Sequence, residues 1–143
     1  MIILEETMMP ISNYFAPLRN VLLTDAAACV FMSVPMIFAT RWLEKILNIP
    51  SALLFFAGIC LLPVAIIMVF VATRKSVSRN GVALVVAGNI AWVVASLSLI
   101  VTDWIAPNFI GVAFIGCQAA AVTVFALLEY TGLCRLALAA KIN

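Results

Sequence analysis

The sequence predicts an all-α, polytopic membrane protein folded as a four-transmembrane-helix bundle. Three observations carry this. The chain has 143 residues, 66% of them hydrophobic and only 10% charged, against about a quarter charged in an ordinary globular domain. The stretch 51–73, SALLFFAGICLLPVAIIMVFVAT, has no charged residue and no Asn or Gln, and about 20 apolar residues cross the roughly 30 Å hydrocarbon layer as a helix. Three further runs have the same character, 18–40, 81–102 and 109–132, broken chiefly by single acids at Asp25 and Glu129.

Residues 1–17 read as an interfacial entry segment in which apolar residues mix with Glu5, Glu6 and Tyr14. Its early charges are acidic and prolines interrupt it, unlike the basic start and short apolar core of a signal peptide. The first span is therefore expected to be retained. Pro17 suits a helix start, where its missing N–H costs nothing, and Pro35 is expected to bend the span. The connection RWLEKILNIP at 41–50 is amphipathic, with Trp42 suited to the headgroup layer. Span two carries an interior proline, Pro63. The loop RKSVSRN at 74–80 is the most basic place in the chain. A tight turn, DWIAPN at 103–108, brings Trp104 to the opposite interface. Residues 18–135 thus form one transmembrane domain, with 136–143 a short cytoplasmic tail.

If both termini and the middle loop share one side, that side holds Arg19, Arg74, Lys75, Arg79, Arg135 and Lys141. The other holds only Arg41 and Lys45. The excess of positive charge predicts an N-in, C-in orientation. Trp42, Pro50 and Gly58 are echoed by Trp104, Pro107 and Gly116, a faint sign of two related hairpins.

In lipid, helices meet where small residues allow close approach. Ala87, Ala91 and Ala95 make such a ridge on span three. Gly116 and Ala120 make another on span four, with Ala113, Cys117 and Ala121 one row across. Ordinary packing within the chain is the expected use, ahead of a homodimer face.

Polar residues inside the spans are the candidate site. A charge in mid-membrane is costly, and such residues turn to the bundle interior or to water. Asp25, Asn89 and Glu129 come from three spans and are expected in the cytoplasmic half, with Gln118 near the midplane and Asp103 at the outer rim. Two readings stand. One is a half-channel, proton site or cation site. The other, simpler one is a hydrogen-bonded clamp, with Glu129 paired to an arginine such as Arg19, Arg79 or Arg135, whose long side chains can cross the boundary. The outer half offers Gln118 and Asp103 alone, which argues against a continuous polar route.

Absences narrow the chemistry. The chain has no His, which removes the commonest metal ligand and proton carrier. Its four cysteines, Cys29, Cys60, Cys117 and Cys134, form no C-x-x-C pair and read as packing residues. No phosphate-binding glycine loop, nucleophile elbow or H-E-x-x-H occurs. No enzymatic chemistry, cofactor, metal site or nucleic-acid partner is expected.

The segments LLTDAA at 22–27, LPVA at 62–65, AGNIAWVVASL at 87–97, TDWIAPNFIGVAF followed by GCQAAAV at 102–122, and FALLEYTGL at 125–133 carry a likeness. The chain resembles small bacterial four-span integral inner-membrane proteins of unassigned activity, over roughly residues 18–135. The resemblance implies a multi-pass location in the bacterial inner membrane and implies no reaction, ligand or catalytic residue. The expected role is an accessory or structural component that binds membrane lipid or a larger membrane protein complex. The alternative is a small proton-coupled transporter or carrier using Asp25 and Glu129.

The orientation has a direct test. Reporter fusions at Ser76 and Asn108 should report opposite faces of the membrane; the same face for both removes the four-span threading.

Overall fold

The computed structural model describes residues 12–102 and 104–142, and side chains from Ala16 to Lys141 except at Asp103. Five helices follow in order: α1 (Ser12–Phe38), α2 (Thr40–Leu47), α3 (Ser51–Thr73), α4 (Arg79–Val101) and α5 (Phe109–Ile142). Four of them, α1 from Ala16 onward, α3, α4 and α5, are long and apolar enough to cross a membrane. Among the described residues the fold is all-helical, with the four candidate spans of a multi-pass membrane protein.

The helices differ from their expected bounds at one end of the bundle. α1 starts at Ser12, so Pro17 lies inside the helix and not at its first turn. Pro35 and Pro63 also sit within continuous helices. α5 continues to Ile142, through the residues expected to form a tail. Leu133 and Leu136 pack against the core, which holds this last stretch helical. Glu5, Glu6 and Asp103 lie outside the described residues.

α1 packs chiefly on α3, and α4 chiefly on α5. Two antiparallel hairpins therefore lie side by side, joined by α1 against α5 and α3 against α4. The interior is apolar, built from residues such as Leu22, Leu61, Met68, Val82 and Ile115. Several hydroxyls inside the spans find partners on their own helices. Thr73 and Thr123 donate to the carbonyls of Val69 and Ala119, four residues back, so no hydroxyl proton is left facing hydrocarbon there.

The first hairpin depends on Gly58. A Cβ there would lie 2.9 Å from the Cβ of Met36 and 3.0 Å from Cγ1 of Ile37, so only glycine allows α3 this close to α1. Gly116 is its counterpart in the suspected repeat, yet a Cβ there would meet nothing within 4 Å. The two hairpins resemble each other in outline and not in their contacts.

Opposite the basic loop, hydrogen bonds tie the hairpins together. Asn48 ends α2 in the left-handed conformation, φ 54°, which Asn tolerates better than most residues. Its side-chain amide donates to the Ala106 carbonyl. The Asn108 backbone N–H donates to the Leu47 carbonyl at 3.1 Å, and its side chain donates to Ile46 at 2.6 Å. The same side chain caps α5 by accepting from the Gly111 N–H at 2.8 Å. A Cβ at Gly111 would collide with the Leu47 carbonyl oxygen, so this clasp admits no side chain there.

The glycine geometry predicts a split. Gly58→Ala should lower stability by about 1–3 kcal/mol, the usual cost of overpacking, while Gly116→Ala should be neutral or slightly stabilising through helix propensity. Unfolding in mixed detergent micelles measures both; equal effects at the two sites would sink the close-contact account of α1 and α3.

Candidate functional site: an intramembrane acid pair

Asp25 is the middle residue of α1, Asn89 is one residue from the middle of α4, and Glu129 is about one turn past the middle of α5. Each is turned inward by its helix. On α4 the buried set Val82, Val85, Val86, Asn89 and Ser96 defines one face, at the three- and four-residue spacing of a helical stripe. The three polar residues are 1%, 5% and 0% exposed for Asp25, Asn89 and Glu129 respectively.

The structure brings these three together. The Asn89 amide nitrogen donates to Oδ2 of Asp25 at 2.8 Å and to Oε2 of Glu129 at 2.9 Å. One NH₂ group, with two protons to give, thus holds two carboxyl groups from two other helices. The two carboxyl groups thus lie side by side on one amide. Cys29, one turn along α1, places its thiol 3.9 Å from Oδ1 of Asp25. Oε1 of Glu129 is buried without a partner.

Along their helices Asp25 is central, Asn89 is nearly so, and Glu129 lies about one turn toward the basic end. One expectation is corrected. Among the described residues, no arginine is hydrogen-bonded to Glu129. Arg19 instead donates to the carbonyls of Arg74 and Lys75 at 2.7 and 2.8 Å. The Arg74 guanidinium lies 4.1 Å above the Phe70 ring. These basic side chains tie the loop after α3 to α1, and their reach is spent there.

Gln118 does not join the cluster. α5 is longer than the apolar run that located it, so Gln118 falls in the half of the helix away from the basic end. It lines two cavities. One, of about 60 Å³, is enclosed by α1, α3, α4 and α5 and is also lined by Ser96 and Trp92. The Trp92 indole N–H is buried without a partner. The other is a groove of about 610 Å³ between α1 and α5. It runs from Leu47 and Ile110 at one end to Asp25 and Phe125.

The small-residue ridges are corrected as well. Ala87, Ala91 and Ala95 are exposed, as are Ala113, Cys117, Ala120 and Ala121. Gly88 and Gly116 have open space where a Cβ would stand. α4 turns Val82, Val85, Val86, Asn89 and Ser96 inward and its alanines Ala87, Ala91 and Ala95 outward, while on α5 Ala119 and Ala126 are the alanines that face the core. Within the chain, close approach comes from glycines, among them Gly58 and Gly111.

Sequence reasoning missed two parts of the site. Cys29 follows Asp25 by four residues, a helical same-face spacing that could have revealed it. The groove had a fainter sign: Ala113, Cys117 and Ala121 leave a shallow surface beside Gln118. Among the described residues, no group of His, Cys, Asp and Glu could hold a metal ion.

No family model, curated protein or solved structure matches this chain.

The hydrogen bonds of Asn89 join both hairpins. Asn89→Leu keeps the branched outline, though larger, and removes both donors. It should destabilise the protein by about 1–3 kcal/mol for each carboxyl left without a donor. Unfolding in mixed micelles measures the loss; stability unchanged from wild type would show that the amide is not needed to hold the acids.

Proposed function

We propose that the protein binds and releases a proton inside the bilayer, as the working site of a small proton-coupled carrier. The observation that carries this is the pair Asp25 and Glu129, buried side by side on one amide, with no cationic partner among the described residues. Two negative charges at this distance in a low-dielectric interior repel strongly. One proton shared between the carboxyls removes that repulsion and supplies an O–H for a carboxyl oxygen otherwise lacking a partner. Cys29 is the other titratable group in contact with them; Asn89 faces them from α4.

A clamp alone has simpler solutions. Asn or Gln at positions 25 and 129 would tie the same helices without placing two acids in oil, where intramembrane ionisable groups more often serve transport or proton transfer. In this reading the chain sits in the bacterial inner membrane with both ends in the cytoplasm, as its charge asymmetry and its resemblance suggest.

A second reading keeps the protein as an accessory or structural component, held to lipid, a larger complex or a second copy. Its support is the exposed row Ala87, Ala91 and Ala95 on α4, the kind of surface that lets another helix approach closely.

Infrared difference spectra of the protein in lipid, recorded across pH, test the first reading. Wild type should show a protonated-carboxyl band that disappears as pH rises, and Asp25→Asn or Glu129→Gln should remove it. A carboxyl region that ignores pH in wild type would overturn the proton site and leave the accessory role standing.

A further inference from the structure

We infer that the groove between α1 and α5 is a binding site for a lipophilic organic cation, with Asp25 as its counter-ion. The groove has a volume of about 610 Å³, within the usual range for pockets that take drug-sized molecules. Its wall is almost wholly apolar: Met32 and Phe31 from α1 face Phe114 and Val122 from α5. An ion in its hydration shell gains nothing from such a wall. A molecule whose charge is wrapped in aromatic or aliphatic groups does.

The polar features are few and fixed. Gln118 lies part-way along, and Asp25 lies at the inner end. Asp25 is 1% exposed and is therefore a built part of the site, held from behind by the Asn89 hydrogen bond of 2.8 Å to Oδ2. Among the described residues its other oxygen, Oδ1, has only the long 3.9 Å contact with the Cys29 thiol. A monovalent cation at the inner end supplies the positive charge that the cluster lacks. Charge complementarity thus selects a cation, and the wall selects a hydrophobic one.

Access fits the same occupant. Phe31, Ala113, Cys117 and Ala121 line the groove and are exposed on the flank of the bundle, where acyl chains would lie. A molecule dissolved in the lipid enters sideways without crossing a polar channel. The scarcity of polar groups in the half opposite the basic end, a barrier to a hydrated ion, is no barrier to this substrate. The site uses the same Asp25 as the carrier reading and rests on it for turnover: cation and proton occupy one acid pair in exchange, each displacing the other.

The test uses the full chain in phosphatidylcholine nanodiscs and radiolabelled tetraphenylphosphonium as probe. Binding should be saturable, and uncharged triphenylphosphine oxide should compete at least tenfold less well. Asp25→Asn should weaken binding at least tenfold. Ala121→Phe fills the groove without touching the hydrogen-bonded cluster and should do the same, which decides the matter if the Asp25 variant does not fold. Leu84→Phe, on the exposed side of α4, should leave binding unchanged. Displacement by the neutral compound as effective as by the cation, or binding that survives Ala121→Phe, would overturn the site. Proton release on binding is read separately in buffers of different ionisation enthalpy. Binding with no proton released keeps the cation site and removes the proton-coupled carrier.

Discussion

Two hydrogen bonds from one amide hold this protein's polar interior together. Asn89 on α4 reaches Asp25 on α1 and Glu129 on α5, and so links both helical hairpins at mid-depth. In water such bonds would be worth little net, because solvent competes for each group. Between apolar helices the alternative is an acid with no partner, and that cost sets which faces of α1, α4 and α5 turn inward. The inward stripe on α4 follows from it: with Asn89 pointing at the acids, Val82, Val85 and Ser96 must line the same face, and the alanines must look out.

The rest of the architecture keeps the hairpins in register around that point. At the basic end, Arg19 grips the backbone of Arg74 and Lys75. At the other, Asn48 and Asn108 exchange hydrogen bonds between the loops, and Gly111 lets α5 start directly beneath the end of α2. Both ends are pinned by backbone carbonyls, which accept without adding charge. The only acids inside the described spans are thereby left to one another.

Between these ties, α1 and α5 separate and leave the groove. Its position is a consequence of side-chain size. Gly58 draws α3 tightly onto α1, while on the flank toward α5 the small residues Ala28, Ala113 and Ala121 line a space that no side chain of the chain fills. The same residue types that elsewhere bring helices together here make room. Which outcome small residues produce depends on whether a second helix lies opposite them.

The number of candidate spans, their apolar character and their approximate limits follow from the sequence, because a span must be about 20 residues long and nearly free of charge whatever it packs against; the short helix α2 was read only as an amphipathic connection. That Asp25, Asn89 and Glu129 belong together was also legible, since each is a costly group with few alternatives in oil. Other features were not. The helices continue beyond the apolar runs, to Ser12 and Ile142, and hydropathy does not register where a helix outlasts its hydrophobic part. The clamp reading paired Glu129 with an arginine, and the observed partner is the Asn89 amide, because reach alone does not decide between them. The outward turn of Ala87, Ala91 and Ala95 was invisible, since a row of small residues fits a helix neighbour and open lipid equally well. Composition, local and additive along the chain, determined that this polypeptide has four helices long and apolar enough to cross a membrane. The rotation of each helix about its axis is decided jointly by all its neighbours, and only the tertiary structure carries it.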